Sequence, residues 1–304
     1  MIKDDCVAIG LIVWNGDKTI RYSLKSILNQ THKNLVVYIL DNQSTDSTVE
    51  LITRMASNDH RIILKVDRKK RDIASAQQFI YSEYLSAHKY CMFACDDDLY
   101  DSRYISVLLN TLVEKDLGMV YSRYHHMDTS GNVILVKNRT IYTSKKTCIK
   151  NAMNFIWYRN CVPIFFGIYR TSSLEKSMKH FRMFDSYGFN HENLMLTHYL
   201  LNNCVDFVDE DLFGYLIKER IALYKSRGYL FSVVGFRAIL YPFINQYNFT
   251  MQLLILIKLQ SNINHLHKNL LKLCAWTSLI KYTMVLLLGG SLKKLLVSIK
   301  LNFG

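Results

Sequence analysis

The stretch YCMFACDDDLYDSRYI, residues Tyr90–Ile105, changes character abruptly at its centre. Tyr90 to Ala94 is a short apolar run, Asp96, Asp97 and Asp98 follow as three consecutive carboxylates, and helix-like spacing resumes after Asp101. An apolar strand that delivers acids at its end presents oxygen ligands to a divalent cation. Three adjacent carboxylates raise one another's pKa unless they are solvated or share a cation such as Mg²⁺ or Mn²⁺. Taken alone, the triplet reads first as a solvated turn leading into a helix N-cap, where Asp is common. The rest of the chain reverses that order.

Upstream, Val7 to Trp14 is continuously apolar and flanked by turn formers, as a strand buried on both faces would be, and Asn15-Gly16 supplies the turn. Asp17 to Asn29 places Ile20, Leu24, Ile27 and Leu28 on one face of a helix. Leu35 to Leu40 reads as a second strand ending at Asp41. Ser47 and Glu50 have capping-box spacing before the next helix, and Arg61 to Val66 reads as a third strand. This alternation predicts an α/β protein with a mostly parallel central sheet. Ligands of such sheets bind beyond the carboxyl ends of the strands. Those ends carry Asn15, Asp41, the basic run Arg68, Lys69, Lys70 and Arg71, and Asp96 to Asp98. Cations and an acidic metal site on one rim suit an anion that brings its own cation, such as a nucleotide diphosphate. Neither GxxxxGK[ST] nor GxGxxG occurs there, which excludes a P-loop and a dinucleotide fingerprint.

Downstream, the spacing predicts a helix over 102–112, a strand over 118–124, a turn at Asp128 to Asn132 and a helix over 144–158. VPIFFGIYRTSSL reads as a further strand and a helix start. Phe155, Trp157, Tyr158, Phe165, Phe166 and Tyr169 are assigned to the core rather than to sugar stacking. His125 and His126 read as surface residues. In FDSYGFNHENLMLTHYLL, Phe184 to Leu201, a loop with Gly188 runs into a helix that opens on His191, Glu192 and Asn193.

These blocks together resemble the family 2 glycosyltransferases of the GT-A fold. The resemblance is carried by the strand entering Trp14-Asn15, by SILNQTHKNL and YILDNQSTDST between Ser26 and Thr48, and by the aspartates after the fourth strand. It extends over residues 6 to 220 or thereabouts. It implies inverting transfer of a sugar from a nucleotide-diphosphate sugar, a uridine diphosphate sugar being the first choice, to a saccharide or lipid-linked acceptor. It further implies that Trp14, Asn15, Asp41, Arg71 and Asp96 hold the nucleotide-sugar and that Asp97 with Asp98 holds Mn²⁺ or Mg²⁺. Family members carry an acid pair, often Glu-Asp, at the later helix start. Glu192 is therefore the expected general base, with Asp185 as fallback. Bacterial surface polysaccharide or lipopolysaccharide assembly is the setting the analogy suggests. Three departures stand out: Cys95 where an Asp-x-Asp motif would leave the register open by one residue, Asn193 beside Glu192, and Asp72-Ile73-Ala74 where relatives have Asn and Gly.

Half of the 304 residues are hydrophobic, which argues against disorder, and seven cysteines without a CxxC pair suit reduced thiols in a cytoplasmic protein. Acids precede the first apolar run, where a secretory leader would have basic residues. The net charge of +13 is unevenly placed: Ile221 to Gly304 contains ten Lys or Arg and no Asp or Glu. The chain accordingly divides into a catalytic domain over 1–220 and a basic helical C-terminal appendage over 221–304, with helices near 229–240, 247–262, 264–288 and 291–301. Long aliphatic runs between the lysines favour an anionic membrane face over nucleic acid. Lys281 interrupts the best spanning candidate, so a peripheral helix is expected, with Trp276 and Tyr282 at headgroup level. Packing on the core or a homo-oligomer are the competing uses of that tail. Two other classes stay open: an inactive relative serving as a membrane-associated scaffold, and a nucleic-acid-binding protein supported by charge alone.

Overall fold

The computed structural model describes residues 5–128, 131–136, 148–158, 162–181, 191–216 and 263–288, with scattered helical positions between 247 and 258. Strand β1 (Val7–Val13) is the centre of the sheet, and all its residues are buried except Ile12, which is half-buried. It pairs in parallel with β2 (Leu35–Asp41) on one side and β4 (Tyr90–Cys95) on the other, and β3 (Ile62–Val66) extends the parallel set beyond β2. The full order is β3-β2-β1-β4, then β8 (Ile168–Arg170), β6 (Met119–Met127), β9 (Val205–Leu216) and β5 (Leu99–Tyr100), with β7 (Val133–Val136) added to β6. β8 runs antiparallel to both β4 and β6, whereas β9 is parallel to β6. The short β5 closes the far edge against β9.

Helices α1 (Ile20–Leu28), α2 (Thr48–Ala56), α3 (Ile73–Glu83) and α4 (Tyr104–Glu114) follow the strands as the alternation predicts. α1 buries Ile20, Leu24 and Ile27, the stripe its spacing predicts, but begins at Ile20 rather than Asp17. The amides of Thr19 and Ile20 both bond the Gly16 carbonyl, so the first turn is spent on reversing the chain. The capping box at Ser47 does not form. Asp46 Oδ1 accepts the Thr48 amide at 3.0 Å instead, and Glu50 pairs with Arg54 on the surface. α3 went unrecognised in the sequence because a basic run precedes it and polar residues interrupt its stripe. Asp72 caps it by accepting the Ser75 amide at 2.9 Å.

Two further expectations are corrected. VPIF is the one-turn helix α6 (Val162–Phe165), and only Ile168–Arg170 is strand; between them the Gly167 amide bonds back to the Ile164 carbonyl at 3.1 Å, and a Cβ on Gly167 would run into the Val120 carbonyl. β9 carries four acids and so resembles a loop in sequence. Its register against β6 shifts between Ser122 and Arg123, which puts Asp209 and Glu210 in a bulge where they meet Arg123 and Arg103. His125 bonds Asp211 at 2.9 Å, while His126, expected at the surface, is buried and stacks on Tyr124.

α7 (Thr171–Phe181) packs on β8, and α8 (His191–Leu201) packs between it and α5 (Cys148–Tyr158). Phe155, Phe165, Phe166 and Tyr169 are buried as expected of core aromatics. The last described helix, α9 (His265–Leu288), seats on α5, with Leu271, Cys274, Ala275 and Ser278 buried and Ser278 Oγ donating to the Ile156 carbonyl at 2.9 Å. The helices expected over 229–240 and 291–301, and the side chains of Trp157, Tyr158 and Tyr282, lie outside the described residues.

Gly167→Ala should be destabilising, because its Cβ would enter contact with a main-chain carbonyl that cannot swing aside. Overpacking of this kind costs about 1–3 kcal/mol. Thermal unfolding should show a drop of several degrees, and a drop below one degree would contradict the packing described.

Candidate functional site

Strand register brings the predicted acids together. Val13 pairs with Asp41, and Ile12 pairs with Cys95, so Asp41 and the Asp96–Asp98 triplet leave the sheet on either side of the end of β1. With neighbouring strands ~4.8 Å apart, the two flanking chains are separated by roughly 10 Å. The loops after β1 and β2 are knitted to each other. Asn15 adopts φ 52° and Gln43 φ 64°, and Asn15 Oδ1 accepts the Thr45 amide while its own amide donates to Ser44 Oγ, both at 2.8 Å. Asn15 thereby shapes the rim.

Asp41 is fully buried. Its Oδ2 accepts the Ser44 amide at 3.1 Å, and its Oδ1 has no hydrogen-bond partner among the described residues. Such an oxygen costs about 1–3 kcal/mol unless something donates to it. Beside it, Trp14 is half exposed, and the Lys70 ammonium lies 3.0 Å from its ring centroid. Arg71 sits on the same rim with its Nε 2.5 Å from Asp67 Oδ2 and its guanidinium over Phe79. Burial alone would raise the Asp67 carboxyl, but the hydrogen bond and charge of Arg71 and the Arg68 and Lys69 amides together hold it below the usual range. Asp67 is one residue that sequence reasoning missed; its only signal was its place at the end of β3, one position beyond Val66.

The triplet splits because the chain bends at Asp96 and Asp97, just beyond the end of β4. Asp96 turns toward α1, where Thr19 Oγ1 donates to its Oδ2 at 3.4 Å and where any side chain at Gly16 would collide with it. Cys95, Asp97 and Asp98 gather on the other side, their sulfur and carboxylate oxygens all within 4.8 Å of one another. Cys95 was visible in the sequence only as a departure from a motif; in space it is a third donor beside the two expected ones. Its thiol is pushed well above its ordinary pKa by burial first and then by Asp98, Asp97, Asp96 and Glu192.

Glu192 stands in the first turn of α8, half-buried, within electrostatic reach of Cys95 and 3.4 Å from Gln77 Nε2 of α3. Burial raises its carboxyl above the ordinary glutamate value, against a smaller lowering by Gln77. Asp185 lies outside the described residues. Asp98 has a second attachment, its Oδ1 accepting the Leu216 amide at the end of β9 at 3.0 Å. A separate cavity of about 340 Å³, lined by residues including Gly118, Arg170, Lys176 and Cys204, opens where β6 and β9 begin, at the opposite rim from the acids.

The family model for glycosyl transferase family 2 matches residues 8–177. Among curated relatives, the chain is 24% identical over 219 residues to the glycosyltransferase GlyG of Streptococcus pneumoniae, covering 69% of this chain and 70% of that one. It is 25% identical over 130 residues to GlyA of the same organism, covering 43% of this chain and only 18% of GlyA. It is also 27% identical over 121 residues to WfaP of Escherichia coli, a UDP-Glc:α-D-GlcNAc-diphosphoundecaprenol β-1,3-glucosyltransferase, covering 40% and 47%. Among solved structures, residues 1–349 of Staphylococcus aureus TarS in complex with UDP-GlcNAc superpose with a TM-score of 0.63 at 14% identity, covering 95% of this chain and 77% of that one. The mannosyltransferase PcManGT of Pyrobaculum calidifontis, in complex with GDP-Man and Mn²⁺, gives 0.53 at 13%, covering 96% and 77%. The architecture is therefore GT-A.

Asp97 and Asp98 should behave differently as alanine variants. Asp98→Ala leaves the half-buried Leu216 amide without its acceptor and should lower stability by about 1 kcal/mol, whereas Asp97→Ala should leave the melting temperature unchanged or higher. Equal destabilisation in thermal melts would show that Asp98 does not anchor β9.

Proposed function

The chain belongs to glycosyltransferase family 2, and from that premise we propose that it transfers a sugar, with inversion, from a nucleotide-diphosphate sugar to a hydroxyl of a saccharide or lipid-linked acceptor. The observation that carries the reading is the convergence around β1: a buried carboxylate oxygen with no donor among the described residues on one side, and a cluster of groups able to ligate a cation on the other.

Asp41 Oδ1 is an acceptor, so it suits a base that presents a ring N–H, as uracil does; this and the UDP-GlcNAc held by the TarS neighbour support a uridine nucleotide. Trp14 offers a ring face beside it, and Lys70 and Arg71 bring positive charge toward the diphosphate. Asp96 takes the ribose, the role that its place after the fourth strand has in the family. The cluster of two carboxylates and one sulfur fits a divalent cation, and the sulfur favours Mn²⁺ over Mg²⁺. Asp97, Asp98 and Cys95 would hold it, and the ion, when bound, supplies Lewis-acid stabilisation of the departing diphosphate.

Glu192 accepts the proton of the attacking acceptor hydroxyl. Burial raises its pKa, which makes it a stronger base than a solvated glutamate. Attack from the face opposite the diphosphate needs one displacement and no covalent enzyme intermediate. The lipid-linked substrate in the name of WfaP supports an undecaprenyl-type acceptor and a role in bacterial surface polysaccharide assembly.

Thermal-shift titration with UDP-sugars, with and without Mn²⁺, tests donor binding. Asp97→Ala should abolish the metal-dependent shift. Glu192→Gln should keep it yet lower transfer at least ~10²-fold, the usual scale of a general base; normal transfer by this variant would remove Glu192 from the mechanism. The rate should also rise with pH through a midpoint above the ordinary glutamate range. Below that midpoint Glu192 is protonated and cannot accept the hydroxyl proton. That acidic limb should be missing in the residual activity of Glu192→Gln, and its persistence there would assign it to another group.

A further inference from the structure

Among the described residues, no helix is long and apolar enough to cross a membrane, yet α9 leaves much apolar surface uncovered. Its 24 residues extend over about 36 Å. One side is used: Leu271, Cys274, Ala275 and Ser278 form the seam against α5. The opposite side presents Leu266, Leu270, Leu273, Trp276 and Ile280, spaced by three or four residues and exposed by 67%, 40%, 61%, 42% and 57%. Residues at such spacings share one helix face. Tyr247, Met251 and Ile255, four residues apart in the preceding segment, are exposed as well, and Lys268 Nζ ties α9 to that segment through the Lys258 carbonyl.

We propose that this face of α9 is a docking surface for an anionic lipid bilayer, with the helix lying flat in the headgroup region. Charge selects the occupant. No Asp or Glu occurs between Ile221 and Gly304, and Lys268 and Lys272 border the apolar face on one side, half-buried; their stems can cover hydrocarbon, and the Lys268 ammonium, which gives one N–H to the Lys258 carbonyl, has others to share with a lipid phosphate. A second copy of the chain would bring the same unbalanced positive charge against itself. Nucleic acid would meet five apolar side chains where it needs cations. The polar Asn269 and Thr277 on the exposed face, and the docked seam behind it, keep the helix from being apolar all round, as a surface-lying helix requires.

The test is flotation of the full chain with vesicles of phosphatidylcholine alone and of phosphatidylcholine with phosphatidylglycerol, without donor or acceptor, so that its failure is independent of the transfer reaction. The chain should float with the anionic vesicles and much less with the neutral ones, and binding should weaken with salt. The variant Leu270→Ser/Leu273→Ser/Ile280→Ser, altered only at exposed positions, should bind at least about tenfold more weakly with an unchanged melting temperature. Lys268→Gln/Lys272→Gln should lose the preference for anionic lipid. Absence of flotation at low salt, or undiminished binding by the triple variant, would overturn the proposal. So would a dimer in solution that the triple variant converts to monomer, since the face would then belong to a second copy.

Discussion

The pairing of β1 between β2 and β4 is the constraint on which the rest depends. Parallel pairing in this register sets Asp41 and the acid triplet one strand apart on each side of Val13, and no loop motion is needed to bring them together. The strand is buried over almost its whole length, so a slip by one residue would turn its apolar side chains over and move every acid by a full position. The site's precision is thus inherited from hydrophobic burial in the middle of the sheet.

Burial also explains why the rim is electrostatically uneven. Asp41 keeps a carboxylate oxygen without a donor among the described residues, and two acids crowd a thiol at the end of β4. Folding leaves those costs in place, as functional sites commonly do. Elsewhere on the rim the charges are already compensated: Arg71 by Asp67, Lys70 by the face of Trp14. Two of the four cations of the basic run are therefore already engaged, their partners must share them with an arriving anion, and the field a ligand meets is smaller than the count of lysines and arginines implies.

α9 shows the same economy at the far end of the chain. One face is fixed on α5 by apolar contacts and by Ser278, and the other stays apolar and exposed. Packing on the core and an outward apolar face are compatible uses of one helix, so they need not be competing readings of the tail.

By itself, the sequence determined the parallel half of the sheet, the rim on which ligands should gather, and the family. Each is written in local patterns: continuous apolar strands, amphipathic spacing, and motif blocks such as YILDNQSTDST. It could not locate α3, whose stripe is broken by polar residues, nor β9, whose four acids suit a loop until a bulge gives them Arg103 and Arg123 as partners. Tertiary structure alone decided that Cys95 sits with Asp97 and Asp98 while Asp96 turns away, that Asp67 engages Arg71, and that Gln77 meets Glu192 across 115 positions of chain. The physical reason is common to all three. Which side chain faces which depends on strand direction and on neighbours brought from distant segments, and hydropathy along one stretch carries no record of either.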